Sequence, residues 1–274
     1  MKKKQVSFIV AAIIFSTIAF MGTGASVWAQ KLVAPAMQYS RHKKELAEVL
    51  QYYSHDRDSL KAMAARFLLV NMPYNNSCNY YWADYKGRKI EYNELSYPDF
   101  DSAVAALNTI KSKTTGIHMV RSVYPDTITA AYLINTIDDA FDAWQHSTVK
   151  INFHDFCEYL LPYRVSVEPV QDWRGKYRKL FSWVADSIKT KGVIEAANDV
   201  GINCGQSFDN TFSKEARKEL LPRLGALQLL FRKKGPCEDI ADLQAFVLRS
   251  QGIPATIDEV PYWATSTGSH FLPP

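Results

Sequence analysis

The sequence predicts an α+β fold, in which a mainly helical N-terminal region is followed by a smaller core of one central helix and an incomplete antiparallel sheet. Three observations predict it. Apolar residues recur at helical spacing through most segments before residue 232. The run Ile240–Leu248 is apolar around most of its circumference, as an enclosed helix would be. After Gly252 and Pro254 the chain reads as two short strands about a turn. These features divide the chain into a targeting segment at 1–29, a helical region at 30–165 and the core at 166–274.

Residues 1–29 have the make-up of an export signal. Lys2, Lys3 and Lys4 form a basic start, Val6–Phe20 an apolar centre, and Val27-Trp28-Ala29 a cleavage-like site before Gln30. The apolar stretch is short for a lasting membrane span, and no cysteine near the cleavage site suggests a lipid anchor. The mature chain is therefore expected to be secreted, periplasmic or at the cell surface, with no stable membrane span. Cleavage removes three positive charges and no negative ones, lowering the formal charge from +4 to +1. The basicity thus belongs largely to the signal, and nucleic acid is not an expected partner.

Helical spacing places Leu46, Val49 and Leu50 on one helix over 43–53, and Leu60, Met63, Ala64, Phe67 and Leu68 on another over 59–72. Residues 73–98 read as a long polar and aromatic connection; Asn75-Asn76-Ser77 within it matches a glycosylation pattern, of little weight beside a bacterial-looking signal. Further helices are expected at 100–111 and at 127–145, where Ala130, Leu133, Ile134, Ile137 and Phe141 form a stripe. In 156–164, Glu158 and Arg164 among aromatic residues suit a partly buried ion pair at a domain junction, while an ordinary helix ending at Pro162 is an equal alternative. One helix is expected over 173–188 and a short one over 192–201. Residues 203–206 then form a polar loop, and 212–221 lead towards the central helix.

Four cysteines, Cys78, Cys157, Cys204 and Cys237, allow up to two disulfides in an exported chain, too few for a disulfide scaffold. His146 and His154, eight apart beside Asp155, lack the spacing of a zinc site. His42, His55 and His118 have no cysteine or acidic cluster nearby. No metal and no cofactor is expected.

The stretch 235–256 organises the rest. Gly235-Pro236 is a helix-start signal, because proline has its φ preset and no amide hydrogen to leave unpaired. Cys237 then falls in the first turn, where unpaired amides and the positive end of the helix dipole favour a thiolate. Arg232, Lys233 and Lys234 act in the same direction, and Glu238 and Asp239 oppose them. The expected result is a lowered thiol pKa of open size. Glu238, Asp242 and Arg249 form one narrow polar stripe, Gly252 closes the helix and Pro254 prevents its continuation. Residues 255–263 read as a strand and 265–269 as a turn, so that His270 opens a second strand.

A Gly-x-Cys entering an enclosed helix, a Gly-Ile-Pro-Ala exit into a strand and a Gly-Ser-His after the turn together resemble the transglutaminase-like core of the papain-type cysteine enzyme superfamily. The resemblance covers roughly residues 215–271, about a fifth of the chain. It implies that Cys237 is the nucleophile and His270 the general base. The family's third residue, an aspartate on a later strand, has no counterpart, because no acidic residue follows Glu259. The sequence accordingly reads as a C-terminally truncated and impaired form, with Asp258 and Glu259 the nearby acids able to substitute. Residues 156–164 likewise resemble a segment of Bacteroidetes-type secreted transglutaminase-domain proteins that joins a helical front part to the core.

The resemblance implies acyl transfer on a peptide or protein amide, possibly glycan-linked, ending in hydrolysis or transamidation. The amide of Cys237 would be one oxyanion donor, and Gln206, Gln228 and Trp183 are alternatives for a second. A different reading is a noncatalytic binding module recognising glycan or peptide through Tyr80, Tyr81 and Trp82. A third is a structural partner at the cell surface.

Overall fold

The computed structural model describes residues 43–54, 59–72, 79–122, 128–211, 223–262, 269–272 and 274. The export signal, Asn75–Cys78, residues 212–221 and most of the expected 265–269 turn lie outside the described residues. The fold is α+β, mostly helical with small sheets.

Helices α1 (Lys43–Ser54) and α2 (Ser59–Asn71) occur where the apolar spacing places them, and they bury Leu46, Val49, Ala64 and Leu69 against α4 (Ala130–His146). Thr129 caps α4 by accepting from the Tyr132 amide. A short helical turn, Phe153–Asp155, runs into a π turn, Phe156–Leu160, and completes this first apolar cluster with Phe156, Leu160 and Leu161. Helix α3 (Phe100–Lys113) starts at Asp99, whose carboxylate accepts from the Ser102 amide.

The expected connection over 73–98 is corrected. It contains β1 (Asn79–Ala83) and β2 (Lys89–Ile90), and β1 lies between β2 and β3 (His118–Ser122) in an antiparallel sheet. The β1–β2 turn is held by the Asp84 carboxylate, which accepts from the Lys86 and Arg88 amides at 2.9 Å each, and Gly87 supplies a φ of +77°. The aromatic sequence Tyr80-Tyr81-Trp82 suits a strand. Its main partner, β3, arrives only after α3, so no local periodicity announces the pairing.

The single helix expected over 173–188 is two: α5 (Arg174–Leu180) and α6 (Trp183–Lys191). No proline or glycine forces the break. The step at Phe181–Ser182 lets Tyr177 and Val184 both reach the interior, each with no exposed surface. After Gly192 at φ +93°, α7 (Val193–Ser207) is much longer than expected and absorbs the supposed polar loop at 203–206. Ala196, Val200 and Cys204, spaced at i, i+4 and i+8, form its buried face. Packing of that stripe outweighs the weak helix preference of Asn203 and Gly205.

Helix α8 (Ala226–Arg232) ends at Lys233, in left-handed geometry at φ 51°. Strand β5 (Lys234–Gly235) follows and pairs in parallel with β4 (Asp209–Asn210). The central helix α9 (Cys237–Ser250) comes next, and it lies at the heart of a second apolar cluster built from residues between Trp173 and Ala255. Trp173 and Tyr177 face the Phe246 ring with centroids 4.7 and 5.7 Å away. Most of the polar stripe of α9 is enclosed as well, with Asp242 wholly buried, Arg249 2 % exposed and Glu238 half-buried. Two short strands, β6 (Asp258–Val260) and β7 (His270–Leu272), close the chain as an antiparallel pair.

Candidate functional site

The start of α9 is fixed by backbone geometry. Lys233 turns the chain out of α8, and the Gly235 carbonyl accepts from the Thr211 amide at 2.8 Å. A Cβ at Gly235 would overlap the Asp239 side chain, so the close approach requires glycine. Pro236 is extended at the N-cap, where its carbonyl accepts from Asp239 and Ile240, and no side chain caps the helix. Cys237 is the first helical residue, buried at 5 % exposure. Its thiol is unbridged, as are those of Cys157 and Cys204. No disulfide therefore joins any two of the described cysteines, and Cys78 lies outside the described residues.

The thiols of Cys157 and Cys204 sit within the apolar clusters. Burial pushes both up to about 12, Glu158 adding to the effect at Cys157.

Strand β7 packs against α9, bringing the element that carries His270 beside the one that carries Cys237. In the β6–β7 ladder His270 stands opposite Val260, Phe271 opposite Glu259 and Leu272 opposite Asp258. Side chains alternate along a strand, so Asp258, Val260, His270 and Leu272 share one face, and Glu259 and Phe271 the other. Of the two acids, Asp258 is the one on the face of His270. Among the described residues no hydrogen bond joins Cys237 to His270.

Sequence reasoning missed what holds this corner together. Arg223 is 7 % exposed and pairs with Glu238 at 2.6 Å and Asp242 at 2.8 Å, with its guanidinium 5.6 Å from the centre of the Phe271 ring. It also donates to Ser166 Oγ, which lies 3.1 Å from Asp242 and 3.2 Å from Glu168. Glu168 accepts from the Val165 and Ser166 amides at 2.7 and 2.8 Å. Burial, with Glu168 nearby, raises the Asp242 carboxyl well above its ordinary range, against the pull of Arg223. One arginine thus ties the 164–168 segment, α9 and β7 together. Arg223 belongs to no local sequence pattern, so nothing around it signals this role.

At the other end of the stripe, Arg249 donates to the Ala255 carbonyl at 2.8 Å and the Arg164 carbonyl at 2.6 Å. The Glu158–Arg164 pair is corrected: Glu158 is exposed and Arg164 buried, so they do not share an environment.

Of the three residues considered for a second oxyanion donor, Gln228 is occupied. Its amide nitrogen donates to Glu94 at 2.6 Å and Tyr80 at 3.1 Å, while its oxygen accepts from the Gly225 amide at 2.8 Å. Arg232 completes this network on Glu94. Gln206 and Trp183 instead line a cleft between α6 and α7. The aromatic residues of β1 are partly committed as well, Tyr80 to Gln228 and Trp82 to Lys111, whose ammonium lies 4.5 Å from its ring centre. Among the described residues no group of three or more histidine, cysteine or acidic side chains is placed to hold a metal, and no helix is long and apolar enough to cross a membrane.

Compared with protein-family models, curated proteins and solved structures, the chain matches none.

Proposed function

We propose that the protein is an exported cysteine-dependent acyl-transfer enzyme of transglutaminase-like type, with α9 and the β6–β7 pair as its partial core. The observation that carries this reading is the position of Cys237: an unbridged thiol at the first residue of an enclosed helix, flanked by the strand that bears His270. In the proposed reaction the His270 imidazole accepts the thiol proton as Sγ attacks the carbonyl carbon of an amide or ester. The new C–S bond places negative charge on the carbonyl oxygen, which the Cys237 amide at the helix start would stabilise. Collapse breaks the C–N or C–O bond, and the leaving group takes the proton from the imidazolium. Water or an amine then attacks the thioester and restores the thiol. Asp258, on the same face of the β6–β7 pair as His270, is the acid proposed to orient it.

The test is the rate of carboxamidomethylation of each cysteine by iodoacetamide across pH, read by peptide mass. A Cys237 rate well above those of Cys157 and Cys204 near neutral pH, lowered by His270→Ala, supports the reading. Equal slow labelling of all the thiols, or a Cys237 rate indifferent to His270→Ala, overturns it.

A further inference from the structure

The cleft between α6 and α7 is shallow and open to solvent, with a volume of about 300 Å³, at the small end of ligand clefts. It is lined by Trp183, Asp199, Ile202, Asn203 and Gln206. Trp183 opens α6, and the other four come from successive turns of α7, beside the stripe of Ala196, Val200 and Cys204 that the helix buries in the core. Asp199, Asn203 and Gln206 follow one another at i, i+4 and i+7, so their polar ends form a single row. The row is anchored at one end, where Asp199 Oδ2 accepts from Ser187 Oγ at 2.7 Å and Lys191 Nζ at 2.8 Å. Among the described residues the side-chain amides of Asn203 and Gln206 make no hydrogen bond, and both are exposed. Trp183, half-buried and packed in part against the second apolar cluster, lines the cleft together with the exposed Ile202.

We propose that this cleft binds a neutral saccharide, with a pyranose ring lying against Trp183 and its hydroxyls meeting the Asp199, Asn203 and Gln206 row. The chemistry matches on both sides. The electron-rich face of an indole attracts the C–H groups on the apolar side of a sugar ring. Each amide offers one carbonyl acceptor and two N–H donors, and a hydroxyl both donates and accepts, so adjacent hydroxyls can be paired at every position along the row. Hydrogen bonds from Lys191 and Ser187 hold the Asp199 carboxyl below its usual range. Among the described residues the cation at this carboxylate is Lys191, already paired with it, which disfavours an anionic sugar. None of this depends on the thiol of Cys237.

Saturation-transfer difference NMR on the full chain would test the proposal, using methyl β-glucopyranoside, methyl β-galactopyranoside, methyl N-acetyl-β-glucosaminide and sodium glucuronate as probes. Transfer to the ring protons of at least one neutral glycoside is expected, with little or none to glucuronate. Trp183→Ala should weaken binding about tenfold, through lost ring contact. Gln206→Ala should weaken it about fivefold, through one lost hydrogen bond. Cys237→Ser should leave it unchanged. Circular dichroism would check the Trp183→Ala fold; if that variant unfolds, Gln206→Ala decides, because its side chain is exposed and anchors nothing. Absence of transfer to all three neutral probes, stronger transfer to glucuronate, or a Gln206→Ala variant that binds as well as the parent would overturn the proposal.

Discussion

The two ends of α9 are built to opposite plans. At its C-terminus every exit is closed: the Gly252 amide donates to the Arg249 carbonyl at 3.2 Å and the Ile253 amide to the Leu248 carbonyl at 3.0 Å, the paired bonds of a Schellman motif. Gly252 has φ +76° and sits against Ala143 and Ser147 at the end of α4, so the turn and the helix contact demand the same residue. At its N-terminus no side chain caps the helix, and the first residue is a thiol. The first end contributes stability, and the second leaves its first-turn amides without a side-chain cap. Rigidity at one end allows the other to stay unsatisfied.

Substitutions at the two glycines that fix these ends test that contrast most directly. Gly252→Ala would combine left-handed strain with overlap on the Ala143 carbonyl, and a loss of about 3 kcal/mol is expected from urea unfolding. Gly235→Ala meets only the Asp239 side chain at an ordinary φ, so a loss of about 1.5 kcal/mol is expected by the same measurement. If the second loss equals or exceeds the first, the asymmetry does not exist.

Alkaline pH sharpens the distinction between the helix-start thiol and those within the core. Cys157 and Cys204 are held protonated in the folded chain up to about 12, whereas the unfolded chain releases those protons near the ordinary thiol value. The unfolded state then binds fewer protons, so their contribution to stability is present below the unfolded value and is lost as pH rises towards 12. Unfolding midpoints should fall over that window, and Cys157→Ala with Cys204→Ala should flatten the slope. The same burial leaves each of these two thiols with roughly a thousandfold less thiolate than a free cysteine, so alkylation near neutral pH should spare both.

The smallest expected effect concerns the hairpin. Asp258→Asn should slow Cys237 alkylation by no more than about fivefold, the worth of an exposed ion pair, while Glu259→Gln on the opposite face should leave it unchanged. The reverse ranking would place His270 on the wrong side of the strand.

Punctuation made the ends of α9 legible in the sequence. Gly235-Pro236 and Gly252 with Pro254 act through local φ and hydrogen-bond constraints, and the structure places the helix between them. His270 opening a strand was legible for the same reason, since the segment before it breaks any regular pattern. Strand β1 was not legible, because its main partner is β3, beyond a whole helix. Nor was the extent of α7, where one buried stripe outweighs polar residues that suit a loop. The Arg223 corner had no local sign at all: Ser166, Arg223, Asp242 and Phe271 come from four distant segments and meet only after folding. Long-range polar clusters of this kind lie beyond periodicity and turn chemistry.

Arg174 gives the molecule a further property. One of its nitrogens, Nη2, reaches three successive carbonyls, those of Leu160 at 2.7 Å, Leu161 at 2.9 Å and Pro162 at 3.1 Å, so the end of the first apolar cluster is fastened by a cation rooted at the start of the second. Separating the clusters would strand a guanidinium among hydrocarbon and leave three oxygens unpaired. Added electrolyte scarcely screens a contact so far from solvent. Melting followed by aromatic absorbance and by backbone dichroism should therefore give coincident curves at low and high ionic strength, with the two halves giving way together.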